Sequence, residues 1–387
     1  MKWTRREWLA LNSAAMGIGF MINGQRPGWA APDIEILEIK TISQQAEKFH
    51  GWPTIARRSN GELLVVCSGG REGHVCPYGQ IELIRSSDAG ATWSEAQFLY
   101  KNERDCRDAG VIETAAGTIL VNFFDSMAWV GVLRQWEADL QENAEPSTQM
   151  IRWRQLLEQF PEEEHRPESG RQWMLRSTDG GKTWSDAYQT PLGSPHGPCL
   201  LEDRSLLFVG KDWEDEQRIG ACRSTDQGLT WEWLADLPVR EGDDFKQYHE
   251  YHAVQAADGR IVAQLRNHNP VNNNETLQFE SEDGGHTWTA PRSIGVWGFP
   301  SHLMCLTDDR LMMTYGHRRA PMGNQARISE DHGQTWSEPI LISEDGRGDL
   351  GYPSTVELEP GVFLSVWYEG TPEKYMAVLR QAKWHLQ

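Results

Sequence analysis

The amino-acid sequence of 387 residues predicts an all-β fold, a six-bladed β-propeller with a helical insertion. Two observations support this prediction. One eight-residue motif occurs five times, and apolar runs that open on turn residues separate its copies. A unit of about 40–50 residues that holds four short strands and repeats along a chain is typical of a propeller blade.

The motif reads S-x-D-x-G-x-T-W, and we call it the box. Its Asp and Ser side chains accept hydrogen bonds from nearby backbone N–H groups, its Gly supplies a positive φ, and its Trp covers the hairpin. Successive copies stand 47 to 57 residues apart after one longer step of 91. The five boxes are Ser86–Trp93, Ser177–Trp184, Ser224–Trp231, Ser281–Trp288 and Ser329–Trp336.

Strand-like segments lie before and between the boxes. Ile81–Arg85, Trp173–Arg176 and Thr276–Phe279 lead into boxes, and apolar runs open at Gly61, Gly117, Asp258 and Asp308. The chain from Asp33 to Gln387 has room for six blades and one insertion. The sixth blade lacks a box, and we expect a strand near Ile34–Ile39 to close it beside Met376–Trp384.

The longer step between the first two boxes contains the insertion, at about residues 129–170. Trp129, Leu133, Trp136 and Leu140 recur at helical spacing with charged residues between them, and the pattern resumes from Met150. We expect two short helices that project from one blade. Packing against the propeller is one role for them, and covering the site as a lid is the other.

The first 31 residues resemble an export signal. Arg5 and Arg6 precede a modest apolar stretch, Ala14–Ile22, and the small residues Ala30 and Ala31 follow. Paired arginines in this order are typical of twin-arginine signals, and the apolar stretch is too short to span a bilayer. We expect cleavage near Ala31, a mature propeller over 32–387, and a periplasmic or extracellular location.

The composition excludes some partners. A net charge of −19 argues against binding nucleic acid or an anionic membrane surface. Any anionic ligand must then be held by a local cluster of Arg and His. The six cysteines follow no metal-type spacing, so no metal site and no cofactor are predicted, and disulfides and buried thiols both remain open.

The boxes and three further segments together resemble the sialidase superfamily of six-bladed propellers with Asp-box repeats. Gly351-Tyr352-Pro-Ser354, followed by Trp367-Tyr368-Glu369, looks like the family segment that carries the nucleophilic tyrosine. The stretch around Glu250 resembles the segment whose glutamate activates that tyrosine. The resemblance also implies two carboxylate-binding arginines, Arg266 and either Arg318 or Arg319.

The chemistry of these pairs is coherent. A tyrosine with a pKa near 10 is a poor nucleophile at neutral pH and needs an adjacent base to take its proton. A neutral phenol also avoids bringing a negatively charged nucleophile against an anionic sugar. Paired guanidiniums hold a sugar carboxylate in bidentate geometry.

Two departures from the family pattern concern the first blade. The family has an arginine in an early Arg-Ile-Pro segment, where this chain has Gly51 in His50-Gly51-Trp52-Pro53. The family's acid/base aspartate lies about fourteen residues before the Asp of the first box, and the count leads to His74. The nearest acidic alternatives are Glu72, Asp105 and Asp108.

Further polar residues stand near strand starts, where blades point loops into the central funnel. A histidine can act as an acid, a base or a metal ligand near neutral pH, and it is also often a hydrogen-bonded structural residue. As substrate-binding candidates we take His50, His196, Lys211, His252, His268, His302, Tyr315, Arg318 and Arg319, together with Arg266.

Three functions follow from these residues. The first is an exported exo-glycosidase that releases a terminal, acidic or deoxy sugar: Tyr352, activated by Glu250, attacks the anomeric carbon, and His74 or Asp108 protonates the leaving oxygen. The second is a lyase that eliminates across a uronic acid with a His/Tyr/Arg site. The third is a non-catalytic glycan-binding propeller. A glycan is the partner in each case, and the oligomeric state is not predicted.

Overall fold

The computed structural model describes residues 29–387 apart from 46, 142–143, 213–217, 345, 347–348 and 373–375. The predicted export segment lies outside the described residues except for its last three. Within the described residues, 24 strands form six four-stranded antiparallel sheets, which confirms the six-bladed propeller.

Blades 1 to 3 follow the chain order. Blade 1 consists of β2 Phe49–Arg57, β3 Leu63–Arg71, β4 Gln80–Ser86 and β5 Gln97–Tyr100. Blade 2 consists of β6 Asp105–Glu113, β7 Ile119–Ser126, β8 Gln172–Ser177 and β9 Tyr188–Gln189. Blade 3 consists of β10 Cys199–Leu200, β11 Leu206–Asp212, β12 Arg218–Ser224 and β13 Glu232–Asp236.

Blades 4 to 6 complete the ring. Blade 4 consists of β14 Tyr248–Gln255, β15 Ile261–Asn267, β16 Thr276–Ser281 and β17 Arg292–Ser293. Blade 5 consists of β18 Ser301–Cys305, β19 Leu311–His317, β20 Gly323–Ser329 and β21 Ile340–Ser343. Blade 6 consists of β22 Leu350–Glu359, β23 Val362–Gly370, β24 Ala377–Leu386 and β1 Ile34–Thr41.

The first and the last of the described strands close blade 6, as the sequence predicted. Strand β1 pairs antiparallel with β24, and Ile34 lies opposite Leu386. The pairing joins the earliest described strand to the last one, so the sheet edge that blade 6 would otherwise expose is covered. The ring is therefore closed by backbone hydrogen bonds rather than by packing alone.

Each box is a hairpin held by its own side chains. In the first, Ser86 Oγ accepts from Gly90 N at 2.9 Å, and Asp88 accepts from both the amide and the hydroxyl of Thr92. Gly90 has a φ of 81°, as the pattern requires. Trp93 then reaches the neighbouring blade, where its indole N–H donates to Gln381. The box thus both turns the chain and ties adjacent blades together.

The insertion is helical, as predicted. It contains α1 Ala128–Asp139, α2 Thr148–Gln159 and α3 Glu162–His165, followed by a 3₁₀ turn at Arg166–Glu168; a second 3₁₀ turn, Phe245–Gln247, precedes blade 4. The buried faces of α1 and α2 meet at Trp129 and Trp153, and they pack with Cys76 of blade 1. The helical pair therefore packs against the connection between β3 and β4.

Apolar residues of neighbouring blades meet in the clefts between sheets, and this is where the core lies. All six cysteines are free thiols. Among the described residues, no helix combines the length and apolar character that crossing a bilayer requires.

Candidate active site

A pocket of about 300 Å³ lies at one end of the propeller. The innermost strand of a blade starts at this end and the second strand finishes there, because the two are antiparallel. Side chains from blades 1, 2, 4, 5 and 6 converge on it. The pocket is lined by Trp52, His74, Arg107, Asp108, Phe124, Ser126, Glu250, Arg266, Arg318, Tyr352 and Tyr368.

Four lining residues occupy equivalent places in their innermost strands. Trp52, Asp108, Glu250 and Tyr352 all have a positive φ between 52° and 57°. The register with the second strand is irregular at each of them. A bulge re-aims a side chain, and a left-handed backbone is costly for a residue with a Cβ unless its surroundings hold it. Each of these four blades therefore bends its inner strand and turns one side chain into the pocket.

Tyr352 and Glu250 are in direct contact across the pocket. The Tyr352 hydroxyl donates a short hydrogen bond to Glu250 Oε1. Arg266 Nη1 lies 3.1 Å from both oxygens of the same carboxylate. The sequence predicted these three residues for one site, and the structure brings them together from blades 4 and 6.

The electrostatics of this pair are asymmetric. Burial and the adjacent carboxylate raise the pKa of Tyr352 well above its ordinary value. Burial opposes ionisation of Glu250, but the Arg266 charge and the hydrogen bond from Tyr352 outweigh it and lower the pKa of Glu250. At neutral pH a neutral phenol thus donates to an ionised carboxylate, which is the arrangement for removing the phenol proton during attack.

Three guanidiniums face the same space. Arg107 lies over the Trp52 ring, with its guanidinium carbon 4.2 Å from the ring centroid. Arg318 donates to Tyr368 Oη at 2.8 Å. The Nε atoms of Arg107 and Arg266 are buried and have no hydrogen-bond partner among the described residues. The pocket therefore offers several N–H donors and a local positive charge in a chain that is strongly acidic overall.

Arg107, from blade 2, places a guanidinium beside blade 1. It stands immediately before the bulged Asp108, as Gly51 stands immediately before the bulged Trp52. Its side chain crosses to the blade 1 indole, so the third guanidinium comes from the second blade instead of the first.

Asp108 is a buried carboxyl group on the pocket wall. Burial raises the pKa of Asp108 to about 7, although the Arg107 charge opposes the shift. Its Oδ1 is buried and has no hydrogen-bond partner in the part of the chain that the structure describes. Near neutral pH this group is divided between its acid and its carboxylate forms, and it can exchange a hydrogen bond or a proton with a ligand.

His74 lies at the mouth of the pocket, on the connection between β3 and β4, and about half of its side chain is exposed. Its Nδ1 is 2.5 Å from Asp349 Oδ2. Arg71, which is fully buried, donates to the carbonyl oxygens of Gly73 and His74. The buried Arg71 side chain thus fixes the backbone of the connection, while the imidazole of His74 faces the pocket.

Three predicted histidines form a separate cluster. His196, His252 and His302 lie with ring centroids 4.8 to 5.6 Å apart. All three are buried, and burial lowers the pKa of His252 to about 3. They do not line the pocket, although the His196 ring lies 6.4 Å from that of Tyr352. They are neutral side chains packed against one another in the interior.

Two other predicted residues point into blades. His50 Nε2 lies 3.5 Å from Glu82 in blade 1, and both side chains are buried. The Tyr315 hydroxyl donates to Gln325 inside blade 5. Alternate residues of a strand face opposite sides of the sheet, and these two face the interblade side rather than the pocket.

Lys211, His268 and Arg319 also lie outside the pocket. Lys211 Nζ donates to the Lys246 carbonyl at 3.0 Å. The His268 ring packs on His249 with centroids 4.7 Å apart. Arg319 is exposed, whereas the preceding residue enters the pocket. Of the two arginines that the sequence left open, the structure therefore places Arg318 at the site.

Sequence reasoning missed Trp52, Arg107, Tyr368 and Asp349 as site residues. One signal was present for the first two. The four bulged residues stand nine positions before the glycine of the hairpin turn in their own blade. The pairs are Trp52 and Gly61, Asp108 and Gly117, Glu250 and Gly259, and Tyr352 and Gly361. Aligning the blades on these glycines places Arg107-Asp108 in register with His249-Glu250.

Residues 168–364 match the family of BNR repeat-like domains. The chain is similar to a sialidase of Micromonospora viridifaciens, with 26% identity over 208 residues, 44% of this chain and 31% of that protein. It is also similar to a xyloglucanase of Acetivibrio thermocellus, with 25% identity over 183 residues, 42% of this chain and 20% of that protein. The chain spans less than a third of the length of these curated relatives.

Similar solved structures show the same fold. A protein of unknown function from Dyadobacter fermentans has a TM-score of 0.72 and 23% identity, covering 92% of this chain and 100% of that one. The NanB sialidase of Streptococcus pneumoniae has a TM-score of 0.63 and 14% identity, covering 93% of this chain and 71% of that one.

Proposed function

Because this chain belongs to the BNR repeat-like domain family, as a divergent relative of sialidases, we propose that it is an exo-acting glycosidase for a terminal acidic sugar. The observation that carries the proposal is the hydrogen bond from Tyr352 to Glu250 inside a pocket lined by three arginines. A phenol, a base and an anion-binding wall are the groups that this reaction needs.

The Tyr352 oxygen is the nucleophile. It attacks the anomeric carbon, its proton passes to Glu250, and the bond from that carbon to the leaving oxygen breaks. Water then attacks the glycosyl–tyrosine bond, and Tyr352 recovers its proton from Glu250. Two displacements at one carbon retain the anomeric configuration.

The guanidiniums of Arg107, Arg266 and Arg318 bind the carboxylate of the sugar. Arginine N–H groups form a planar fork that matches a carboxylate, and a desolvated charge-assisted pair is stronger than a neutral hydrogen bond. Because Arg266 also holds Glu250, the same residue links substrate recognition to the base.

The leaving group receives its proton from His74. An exo-acting enzyme holds the terminal sugar in the pocket, so the rest of the glycan extends toward the mouth, where His74 is half-exposed. Asp108 is only 8% exposed and lies beside the charges of Arg107 and Glu250. It is therefore placed to contact the sugar ring inside the pocket rather than the leaving group at the mouth. After cleavage the neutral imidazole accepts a proton from the attacking water.

Export belongs to the same proposal. Residues 1–31 direct the chain through the twin-arginine route, and the folded propeller acts on glycans outside the cytoplasm. Replacement of Arg5 and Arg6 by lysine should retain the protein in the cytoplasm, and fractionation of expressing cells measures this. Unchanged export of that variant would contradict the assignment.

The activity test uses the full chain with sialosides and uronic-acid oligosaccharides. Released reducing sugar and the ultraviolet absorbance of an unsaturated product are followed together. Tyr352→Phe is compared with Tyr315→Phe, a buried tyrosine outside the pocket. Sugar release that Tyr352→Phe abolishes and Tyr315→Phe retains supports the glycosidase. An absorbance increase that survives Tyr352→Phe would show elimination instead, and binding without turnover would show a glycan-binding protein.

A further inference from the structure

The carboxylate of Asp349 joins His74 to the arginine side of the pocket. Its Oδ2 faces His74 Nδ1, across 275 positions of sequence. Its Oδ1 accepts from the Tyr368 hydroxyl at 2.7 Å and lies 3.0 Å from Arg318 Nη2. One oxygen of this carboxylate thus contacts His74, and the other contacts Tyr368 and Arg318.

The His74 ring is held in a defined orientation. The imidazole packs edge-on against the Trp52 indole, with centroids 4.9 Å apart and an interplanar angle of 89°. Phe49 contacts it at 6.0 Å in a similar geometry. Because Arg71 fixes the backbone of the same connection, the position of Nδ1 opposite Asp349 is set from three sides.

An ionised Asp349 determines where the proton of a neutral His74 resides. A carboxylate only accepts hydrogen bonds, so the hydrogen lies on Nδ1 and the lone pair is on Nε2. Nε2 faces Arg107, whose Nη2 lies 3.5 Å away. A guanidinium only donates hydrogen bonds, so the contact with Arg107 also requires the lone pair on Nε2.

We propose that Asp349 is the positioning residue for the acid/base histidine: it orients His74, keeps the hydrogen on Nδ1 in the neutral ring and stabilises the imidazolium that donates from Nε2. This inference rests on the proposed glycosidase function. In the protonation step the N–H bond at Nε2 breaks as the leaving oxygen gains the proton, and the ring that remains is the neutral form that Asp349 selects. Histidine and aspartate together thus replace a single acidic side chain.

Asp349→Asn tests the inference with little change in shape. Tyr368 donates to the oxygen at the δ1 position and the Arg318 charge lies 3.0 Å from it, so both favour the amide oxygen of the variant there. The NH₂ group is then turned toward His74 Nδ1. A donor facing Nδ1 forces the neutral ring to carry its hydrogen on Nε2 and opposes the imidazolium.

The closing experiment combines nitrogen-15 NMR of the imidazole rings with kinetics on the full chain. His74→Gln assigns the His74 signals by their loss. Glu369→Gln is the matched control, because Glu369 is a carboxylate of the same blade that accepts from the Trp367 indole instead of lining the pocket. In Asp349→Asn we expect the His74 hydrogen to move from Nδ1 to Nε2 and kcat to fall about 10²-fold or more. The control should change neither.

Two results would overturn the inference: an unchanged His74 tautomer in Asp349→Asn, or a kcat equal to that of the Glu369→Gln control. The NMR arm needs no substrate, so it separates the two proposals. A tautomer switch in a protein that cleaves no glycoside would support the Asp349–His74 pair and reject the glycosidase. An active enzyme with an unchanged tautomer would support the glycosidase and reject the positioning role of Asp349.

Discussion

The Tyr352 hydroxyl donates to the Glu250 carboxylate, although the two residues stand 102 positions apart in the chain. Both have a left-handed backbone, and both stand nine residues before the turn glycine of their blade. The contact therefore depends on two equivalent bulges, in blades 4 and 6, that aim their side chains at one point. Strained backbone of this kind persists where packing over-determines it, and here it converges on the proposed nucleophile and its proposed base.

Glu250→Gln keeps the shape of the side chain and removes the base. The amide can still accept from Tyr352, but it cannot take the phenol proton, so kcat should fall by about 10² to 10⁴ with a small change in KM. Steady-state kinetics on the glycoside cleaved by the wild type measure this. Glu280→Gln, which loses an ion pair to Arg292 within the same blade, is the control and should retain activity. Equal kinetics of the two variants would contradict the base assignment.

Arg107→Gln should weaken the binding of acidic sugars selectively. A hydrogen bond to a charged group contributes about 1.5–3 kcal/mol, so KM for an acidic substrate should rise about 10-fold to 100-fold. For the corresponding neutral sugar, with its carboxylate reduced to an alcohol, KM should change little. Arg319→Gln is the matched control, because that arginine is exposed beside the pocket. A loss of the same size for acidic and neutral substrates would exclude carboxylate binding by Arg107.

Asp108 should make stability fall as pH rises. Its pKa is about 7 in the folded protein and 3.8 in its ordinary setting, so the folded state binds more protons between these values. The favourable contribution is complete below about pH 4 and is lost as pH rises through 7. Asp108→Asn stays neutral, so its stability relative to wild type should increase by on the order of 4 kcal/mol between pH 4 and 8.

Urea unfolding at several pH values measures that difference. For Asp88→Asn the stability difference from wild type should change with pH in the opposite direction, because hydrogen bonds from Thr92 lower the pKa of Asp88 to about 2. The stability that Asp88 contributes is present above about pH 4 and is lost as pH falls through 2. A wild-type-minus-variant difference for Asp108→Asn that does not change with pH would contradict the raised pKa.

The helical insertion should control the order of the connection that carries His74. Trp153 is fully buried between Trp129 and Trp136, and Glu72 of the connection pairs with Arg152 at 2.6 Å. Trp153→Ala should cost about 3–5 kcal/mol locally. Hydrogen exchange should then speed up both in α1 and α2 and in residues 72–79, while the six sheets stay protected. Faster exchange in the helices alone would show that the insertion does not support the connection.

The architecture could be predicted from the sequence because its signals are local. The hydrogen bonds of a box lie within eight residues, as between Ser86, Asp88 and Gly90 and their neighbours. The motif therefore predicts a hairpin wherever it occurs. Five such hairpins, and an apolar segment at each end of the chain, imply six blades and their closure. Tyr352, Glu250 and Arg266 were also recognisable, because each stands in a segment with a family pattern.

The missed residues depended on which way a side chain turns. Arg107 stands immediately before Asp108, where the backbone of β6 is left-handed. Asp349 contacts His74 and Tyr368 contacts Arg318, 275 and 50 positions away in the chain. Conversely, His50 and Tyr315 stand near strand ends that face the pocket but point into the clefts between blades. One residue of register decides between these outcomes, and a single sequence does not state the register.

By itself, then, the sequence determined the propeller, its closure, the helical insertion and the three segments that meet at the site. Only the tertiary structure decided that blade 2 supplies the third guanidinium and that Asp349 stands behind His74. The physical reason is that a box is stabilised by contacts within a few residues, whereas the pocket is assembled from bulges in blades far apart along the chain. Their aim is set by the packing of the closed ring.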